Sequence, residues 1–248
     1  YSDIVELSGG TPVFVEGTLE SDFKITPAQL EAAITDNTRA IIYSSPCNPS
    51  GSVYTREELQ GLATVLAKYP DVIIISDEIY EHIVYGEKNV SIASFPEVYN
   101  QTVTVNGLAK AFAMTGWRIG FIGAPAWLAK ACETLQGQVT SGATSIAQRA
   151  AITALEADPS SVQYMVDAFA ERRELMLGWA REIPTFKVNE PKGAFYLFPD
   201  VTATFGNTYN GVTINNADDL ALYLLEHAQV AVVSGSAFGS KNCMRISY

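Results

Sequence analysis

The chain has 248 residues, 48% hydrophobic and 17% charged, which is enough apolar material for a sizeable core and argues against disorder. A net charge of −11 disfavours nonspecific attraction to nucleic acid or an anionic membrane, while leaving room for a local anion site built by neighbouring groups. The three cysteines, Cys47, Cys132 and Cys243, form no short framework, which points to reduced thiols and a cytoplasmic setting, and no apolar run is long enough to span a membrane as a helix.

In chain order, Thr11 to Val15 reads as a short strand after the Gly9-Gly10 turn. Thr26-Pro27-Ala28-Gln29 is a capping box with proline at the first helical position, and opens a helix to about Ile34. Arg39 to Tyr43 is an apolar strand, and Thr55 to Glu58 is a second capping box for a helix to about Lys68. Val72 to Ile75 is a β-branched run, apolar on both faces as in a buried parallel strand, and Thr102 to Val105 and Ile119 to Ile122 are further strands. Alternating strands and helices predict an α/β fold with a doubly wound, mostly parallel sheet, whose ligands bind beyond the carboxyl ends of the strands. Asn48, Asp77 and Lys110 each follow a predicted strand at that end.

From Pro125 the character changes. Ala126 to Val139 and Ser145 to Leu155 read as helices, and Asp158-Pro159 opens a long helix to about Arg181, with Val162, Met165, Val166 and Phe169 at helical spacing. Phe186 to Val188 and Ala194 to Phe198 read as strands, Asp218 to His227 as a helix, and Val230 to Val233 and Met244 to Tyr248 as strands. The boundary between a larger and a smaller α+β unit is placed near residue 157.

Lys110 is the most informative residue. It stands among small and apolar neighbours in Asn106-Gly107-Leu108-Ala109-Lys110-Ala111-Phe112-Ala113-Met114. Desolvation there would favour the neutral amine, the form that attacks a carbonyl and makes a Schiff base. Arg118, eight residues on, could hold a fixed anion such as a phosphate ester. Asp77 follows a hydrophobic strand, where a lone carboxylate would be costly to bury. Taken singly, each has an ordinary alternative: a solvated lysine, a helix-capping or ion-paired aspartate, a surface arginine on a strand, and for Asn48-Pro49-Ser50-Gly51 a plain turn. His82 and His227 have no metal-ligand spacing with each other or with the cysteines, and Cys47 has no paired base.

Four segments carry a more specific signal: Ser44-Ser45-Pro46-Cys47-Asn48-Pro49-Ser50-Gly51, Val72 to Tyr80, Asn106 to Arg118, and Met244-Arg245-Ile246-Ser247-Tyr248. In this order and spacing they resemble the fold type I aminotransferases that depend on pyridoxal 5′-phosphate, and within them the class I and II, aspartate aminotransferase-like group. The resemblance implies a pyridoxal phosphate-binding large domain over 1–157, a small C-terminal domain over 158–248, and transamination between an L-amino acid and a 2-oxo acid such as 2-oxoglutarate. It implies that Lys110 is the Schiff-base lysine and general base, Asp77 the partner of the pyridine nitrogen, and Tyr80 and Asn48 the partners of the phenolic oxygen. Arg118 would be the phosphate ligand, Arg245 the grip on the substrate carboxylate, and Asn48 a further substrate-binding residue. Gly107 stands where many relatives place a phosphate-binding serine.

Trp117 is expected to pack beside Arg118, and Pro191 to Tyr196 to enter a strand lining the substrate side. The small polar loop Thr140 to Ser145 hints at a homodimer, because the family's corresponding loop approaches the neighbouring cofactor. Relatives extend beyond both ends of this sequence, so the chain reads as truncated, lacking a phosphate loop and a ring-stacking aromatic. Another enzyme on the same scaffold, a β-lyase or synthase, and a non-catalytic pyridoxal phosphate-binding regulator are the competing readings.

Overall fold

The computed structural model describes residues 1–86 and 88–248. It opens on a short helix, α1 (Ser2–Leu7), which the sequence reading does not anticipate and which buries no residue. The strand expected over Thr11–Val15 does not form. Among the described residues that segment has no partner strand to satisfy its backbone, and Val13 and Phe14 are exposed.

Both capping boxes close as expected. Thr26 Oγ1 accepts from the Gln29 N–H at 3.2 Å and Gln29 Oε1 from the Thr26 N–H at 2.8 Å, starting α2 (Pro27–Ala33). Thr55 and Glu58 repeat the exchange at the head of α3 (Arg56–Leu66), where Lys24 also pairs with Glu58 at 2.8 Å.

The main sheet has four strands in sequential order: β1 (Ala40–Ser44), β2 (Ile73–Asp77), β3 (Thr102–Gly107) and β4 (Gly120–Gly123). The first three are parallel, and β4 runs antiparallel to β3 with Gly107 opposite Gly120. The direction of β4 follows from its connection. Residues 108–119 hold one 3₁₀ turn, Thr115–Trp117, and a parallel return needs a crossover that is usually a helix. One face of the sheet is filled by Leu59, Leu62, Leu66, Ile74, Ile92 and Phe95 with Leu30 from α2. Burying each such side chain contributes about 1.5–3 kcal/mol.

Beyond the sheet, α4 (Ala126–Val139) and α5 (Ser145–Glu156) match expectation in extent. The long helix begins later than expected. Asp158 caps the Ser160 N–H at 2.8 Å, Pro159–Val162 form a 3₁₀ turn, and α6 then runs over Gln163–Glu182. The strand expected over Phe186–Val188 is reduced to a single bridge, Lys187 to Asp200. Ala194 adopts a left-handed φ of 56°, which shortens the next strand to β5 (Tyr196–Leu197).

The hairpin of β6 (Thr208–Tyr209) and β7 (Val212–Thr213) was not anticipated, although its Asn210-Gly211 turn, with φ of 49° and 81°, is the strongest short-range hairpin signal in a sequence. α7 (Ala217–Ala228) leads to β8 (Val233–Ser234) and β9 (Met244–Ser247), and the second sheet has the antiparallel order β5-β9-β8. Val201, Ile214, Leu220 and Met244 form its core.

Candidate active site

The register of the parallel strands brings the predicted residues toward one edge. Ser44 ends β1 opposite Asp77, the last residue of β2, so the Asn48 loop and the Asp77–Tyr80 turn leave the sheet side by side. Val105 of β3 is opposite Asp77, and its carbonyl accepts from the Glu78 N–H at 2.9 Å. Lys110 follows three residues beyond the end of β3 at Gly107.

Asp77 Oδ1 accepts from the Ile79 N–H at 3.1 Å, and Oδ2 accepts from the Tyr1 hydroxyl at 2.5 Å. Burial and the adjacent carboxylate push the Tyr1 phenol up. Immediately after the strand, Glu78 is buried with no cation pairing it among the described residues. Its Oε1 accepts from Ser76 at 2.9 Å and Ser91 at 2.7 Å. Burial raises its carboxyl above the usual range, with the two hydroxyls opposing the shift.

Lys110 is half-buried. Its Nζ lies 5.6 Å from the Tyr80 ring centroid and 5.8 Å from that of Phe195, and no hydrogen bond or ion pair engages it among the described residues. The turn that carries it is held by the Leu108 and Lys110 carbonyls, which accept from Phe112 and Ala113, and Ala113 has a left-handed φ of 53°. At Gly107 a side chain would have its Cβ 3.0 Å from the Ile119 carbonyl oxygen and 3.1 Å from the Gly120 Cα, so the position is kept small by the β3–β4 pairing.

Arg118 shares the 108–119 loop with Lys110, but no described contact joins them. It precedes β4 instead of lying on the strand, takes a left-handed φ of 50°, stays exposed, and donates from Nη1 to the Thr115 carbonyl at 3.0 Å. Trp117 is 45% exposed and lines an open cavity with Ile146, Arg149 and Thr153 of α5, so it is not enclosed beside Arg118 as expected.

Asn48 and Arg245, 197 residues apart, meet directly: Arg245 Nη1 donates to Asn48 Oδ1 at 2.8 Å. The guanidinium lies between two rings, its Cζ 4.6 Å from the Tyr196 centroid and 5.0 Å from that of Phe238, while its buried Nε finds no partner among the described residues. The Asn48 loop is tied to the segment before β5, where the Gly51 carbonyl accepts from Lys192 at 2.8 Å and Gly193 at 2.9 Å. Gly51, at φ 69°, leaves its would-be Cβ 2.3 Å from Pro191 Cβ, which only glycine permits. Ala194 in turn donates to the Ile83 carbonyl at 2.9 Å.

Tyr80 is buried, and its hydroxyl sits 2.7 Å from that of Tyr196. Burial first, and then Tyr196, push the Tyr80 phenol up, with Arg245 opposing. The structure therefore brings Asn48, Arg245, Tyr80 and Lys110 around one aromatic group, sets Asp77 at the adjoining strand end, and leaves Arg118 exposed on the loop that also carries Lys110. Sequence reasoning missed the roles of Tyr1, Tyr196 and Phe238 in this arrangement. The Pro191–Tyr196 run signalled the second of these by its position, whereas nothing local marks the other two. Elsewhere, His82 pairs with Glu81 at 3.2 Å, and among the described residues no group of three His, Cys, Asp or Glu could hold a metal ion.

Comparison with known proteins gives one consistent answer. The family model for aminotransferase class I and II matches residues 1–248. A bifunctional aspartate aminotransferase and glutamate/aspartate-prephenate aminotransferase of Petunia hybrida is 46% identical over 253 residues, covering 100% of this chain and 53% of that protein. An aspartate/prephenate aminotransferase of Nitrosomonas europaea is 46% identical and is covered over 64% of its length. The crystal structure of the aspartate aminotransferase of Rhizobium meliloti superposes with a TM-score of 0.96 at 43% identity, over 100% of this chain and 63% of that one. The chain thus spans between about half and two thirds of the length of these proteins.

Proposed function

This chain belongs to the family of class I and II aminotransferases, and on that premise we propose that its protein transfers an amino group from an L-amino acid of the aspartate type to a 2-oxo acid such as 2-oxoglutarate, with pyridoxal 5′-phosphate as cofactor. The observation that carries the reading is the placement of the Lys110 amine and the Arg245 guanidinium about the touching pair Tyr80 and Tyr196. An amine that can attack a carbonyl and a cation that can fix a carboxylate then serve one small amino acid. The names of the relatives favour amino transfer over the lyase and regulator alternatives.

The residues present fit the cofactor by their chemistry. Lys110 offers an amine free of any ion pair among the described residues, Asp77 a carboxylate at a strand end, Tyr80 a hydroxyl and Arg118 an uncommitted guanidinium edge. When bound, the cofactor supplies an electron sink for the substrate carbanion. Lys110 would bind it covalently through Nζ and then take the proton from the substrate Cα. Asp77 would hold a proton at the ring nitrogen, Tyr80 and Asn48 would donate toward the phenolic oxygen, and Arg118 would bind the phosphate. Arg245 would orient the substrate through its carboxylate, held in place by Asn48 Oδ1.

We also assign the larger unit to residues 1–157 and the smaller to 158–248, and infer a cytoplasmic homodimer. The exposed apolar residues of α4 and α5, among them Trp127, Leu135, Val139 and Ile146, support a self-association surface. The three cysteines stand as free thiols, which suits a reducing compartment. No helix among the described residues is long and apolar enough to cross a membrane.

The test is borohydride reduction of the folded protein with pyridoxal phosphate, followed by intact mass and peptide mapping. A pyridoxyl label on Lys110 is expected. Lys110→Ala should lose it and reduce aspartate–2-oxoglutarate exchange by about 10³-fold, the order expected for losing a nucleophile and base. A folded protein that takes no label on Lys110 overturns the proposal.

A further inference from the structure

Tyr196 has no part in the roles assigned above, yet it touches two residues that do. It lies in β5 opposite Ser247, next to the strand that carries Arg245. Its buried ring forms one side of the slot for the Arg245 guanidinium, at 4.6 Å, with Phe238 as the other side at 5.0 Å. Asn48 engages one nitrogen of that guanidinium and Nε has no partner among the described residues, so the two rings supply most of what fixes its plane. At its other end, the Tyr196 hydroxyl meets only the Tyr80 hydroxyl among the described residues, at 2.7 Å, and the two rings are set edge to face with centroids 5.8 Å apart.

A phenol has one proton to give and two lone pairs to accept with. In a pair of phenols one must donate, and the choice decides what the other offers to a third group. The Arg245 guanidinium lies 4.6 Å from the Tyr196 centroid, closer than the Lys110 amine is to the Tyr80 centroid at 5.6 Å, and this favours Tyr196 as the donor. Tyr80 then accepts, and its own proton is left free for an acceptor bound beside Lys110, whose Nζ is 5.6 Å from the Tyr80 ring. Chains of this kind strengthen each bond by roughly 10–30%.

We propose that Tyr196 is a positioning residue for the transamination site: its ring seats Arg245 for the substrate carboxylate, and its hydroxyl donates to Tyr80 and turns the Tyr80 proton toward the cofactor. This rests on the pyridoxal phosphate reading above. One side chain thereby links the group that holds the substrate to a group that tunes the cofactor.

Two variants separate the two actions. Tyr196→Phe keeps the ring and deletes the hydroxyl, and Tyr196→Leu deletes both. The readouts are the pH midpoint of the visible band of lysine-bound pyridoxal phosphate and the Kd for succinate, a non-reacting dicarboxylate. In Tyr196→Phe a weaker Tyr80 donor leaves negative charge on the phenolic oxygen less stabilised, so the midpoint should rise by roughly half a pH unit while succinate binds within about twofold of wild type. In Tyr196→Leu the loss of the cation–ring contact should weaken succinate binding about fivefold.

A midpoint that stays or falls in Tyr196→Phe overturns the inference, as does wild-type succinate affinity in Tyr196→Leu. Should Tyr196→Leu fail to fold, the midpoint of Tyr196→Phe decides alone. A wild-type protein with no visible band, or a band that survives Lys110→Ala, overturns the underlying reading as well, and so is told apart from failure of the Tyr196 role.

Discussion

The helices α3 and α4 are built from similar material and meet opposite fates. α3 buries Leu59, Leu62, Ala63, Val65 and Leu66 against the sheet, while α4 buries nothing and leaves Trp127, Leu135 and Val139 to solvent. The same split runs through the candidate site. Asn48, Asp77 and Tyr80 rise from the strands that α3 covers, and each has a defined hydrogen-bond partner. Arg118 leads into the exposed strand β4 and, among the described residues, holds only the carbonyl of its own turn. Burial depends on what stands across from a side chain, and the parts of a site set on a packed layer arrive already oriented.

The sharpest contrast should be in stability. Leu66→Ala removes a fully buried side chain from the filled face and should cost about 2–5 kcal/mol in urea unfolding. Leu135→Ala on α4, where the residue is 66% exposed, should fall within about 0.5 kcal/mol. A cost above about 1 kcal/mol at Leu135, together with weaker self-association by light scattering, would break the contrast by showing that the outer face is covered in solution.

Next in size is the effect on binding. Asn48→Ala strips the acceptor from Arg245 Nη1 in a guanidinium whose Nε already lacks one among the described residues. Losing a charge-assisted bond costs about 1.5–3 kcal/mol, so KM for the amino acid should rise by about 10- to 100-fold, with a smaller change in kcat. Equal losses in kcat and kcat/KM would instead place Asn48 with the reacting atoms.

How much of this could be read from the sequence depends on how local each signal is. The capping boxes at Thr26 and Thr55 and the β-branched run before Asp77 are complete within a few residues, and they predicted their elements closely. Thr11–Val15 has a strand's composition but not its partner, and a ladder cannot be read from one segment. The direction of β4 depends on what its connection lacks. In the site, the motifs marked Asn48, Lys110 and Arg245, but the contact between Asn48 and Arg245 joins segments 197 residues apart that only the fold brings together. Tyr1 and Phe238 had no signal of their own, because their roles consist of touching residues that did, whereas Tyr196 was marked only by its place at the end of the Pro191–Tyr196 run.

Glu78 carries the comparison into the interior of the filled half, with the smallest expected effect. Its side chain is buried without a cation among the described residues, and its carboxyl is raised from 4.5 mainly by that burial. The sign of the pH dependence follows directly. In the window that opens near 4.5 and runs up to the raised folded value, the native state keeps a proton that the unfolded chain has lost, so stability falls as pH rises through it. Glu78→Gln carries no titrating group and can still accept from Ser76 and Ser91 through its amide oxygen. It should match wild type in acid and be the more stable protein near neutral pH, a difference that urea titrations at several pH values would measure. A variant less stable than wild type at neutral pH would mean that the carboxylate is worth more to its two serines than its burial costs. The packed half of the molecule would then be holding a charge that it accommodates and not one that it suppresses.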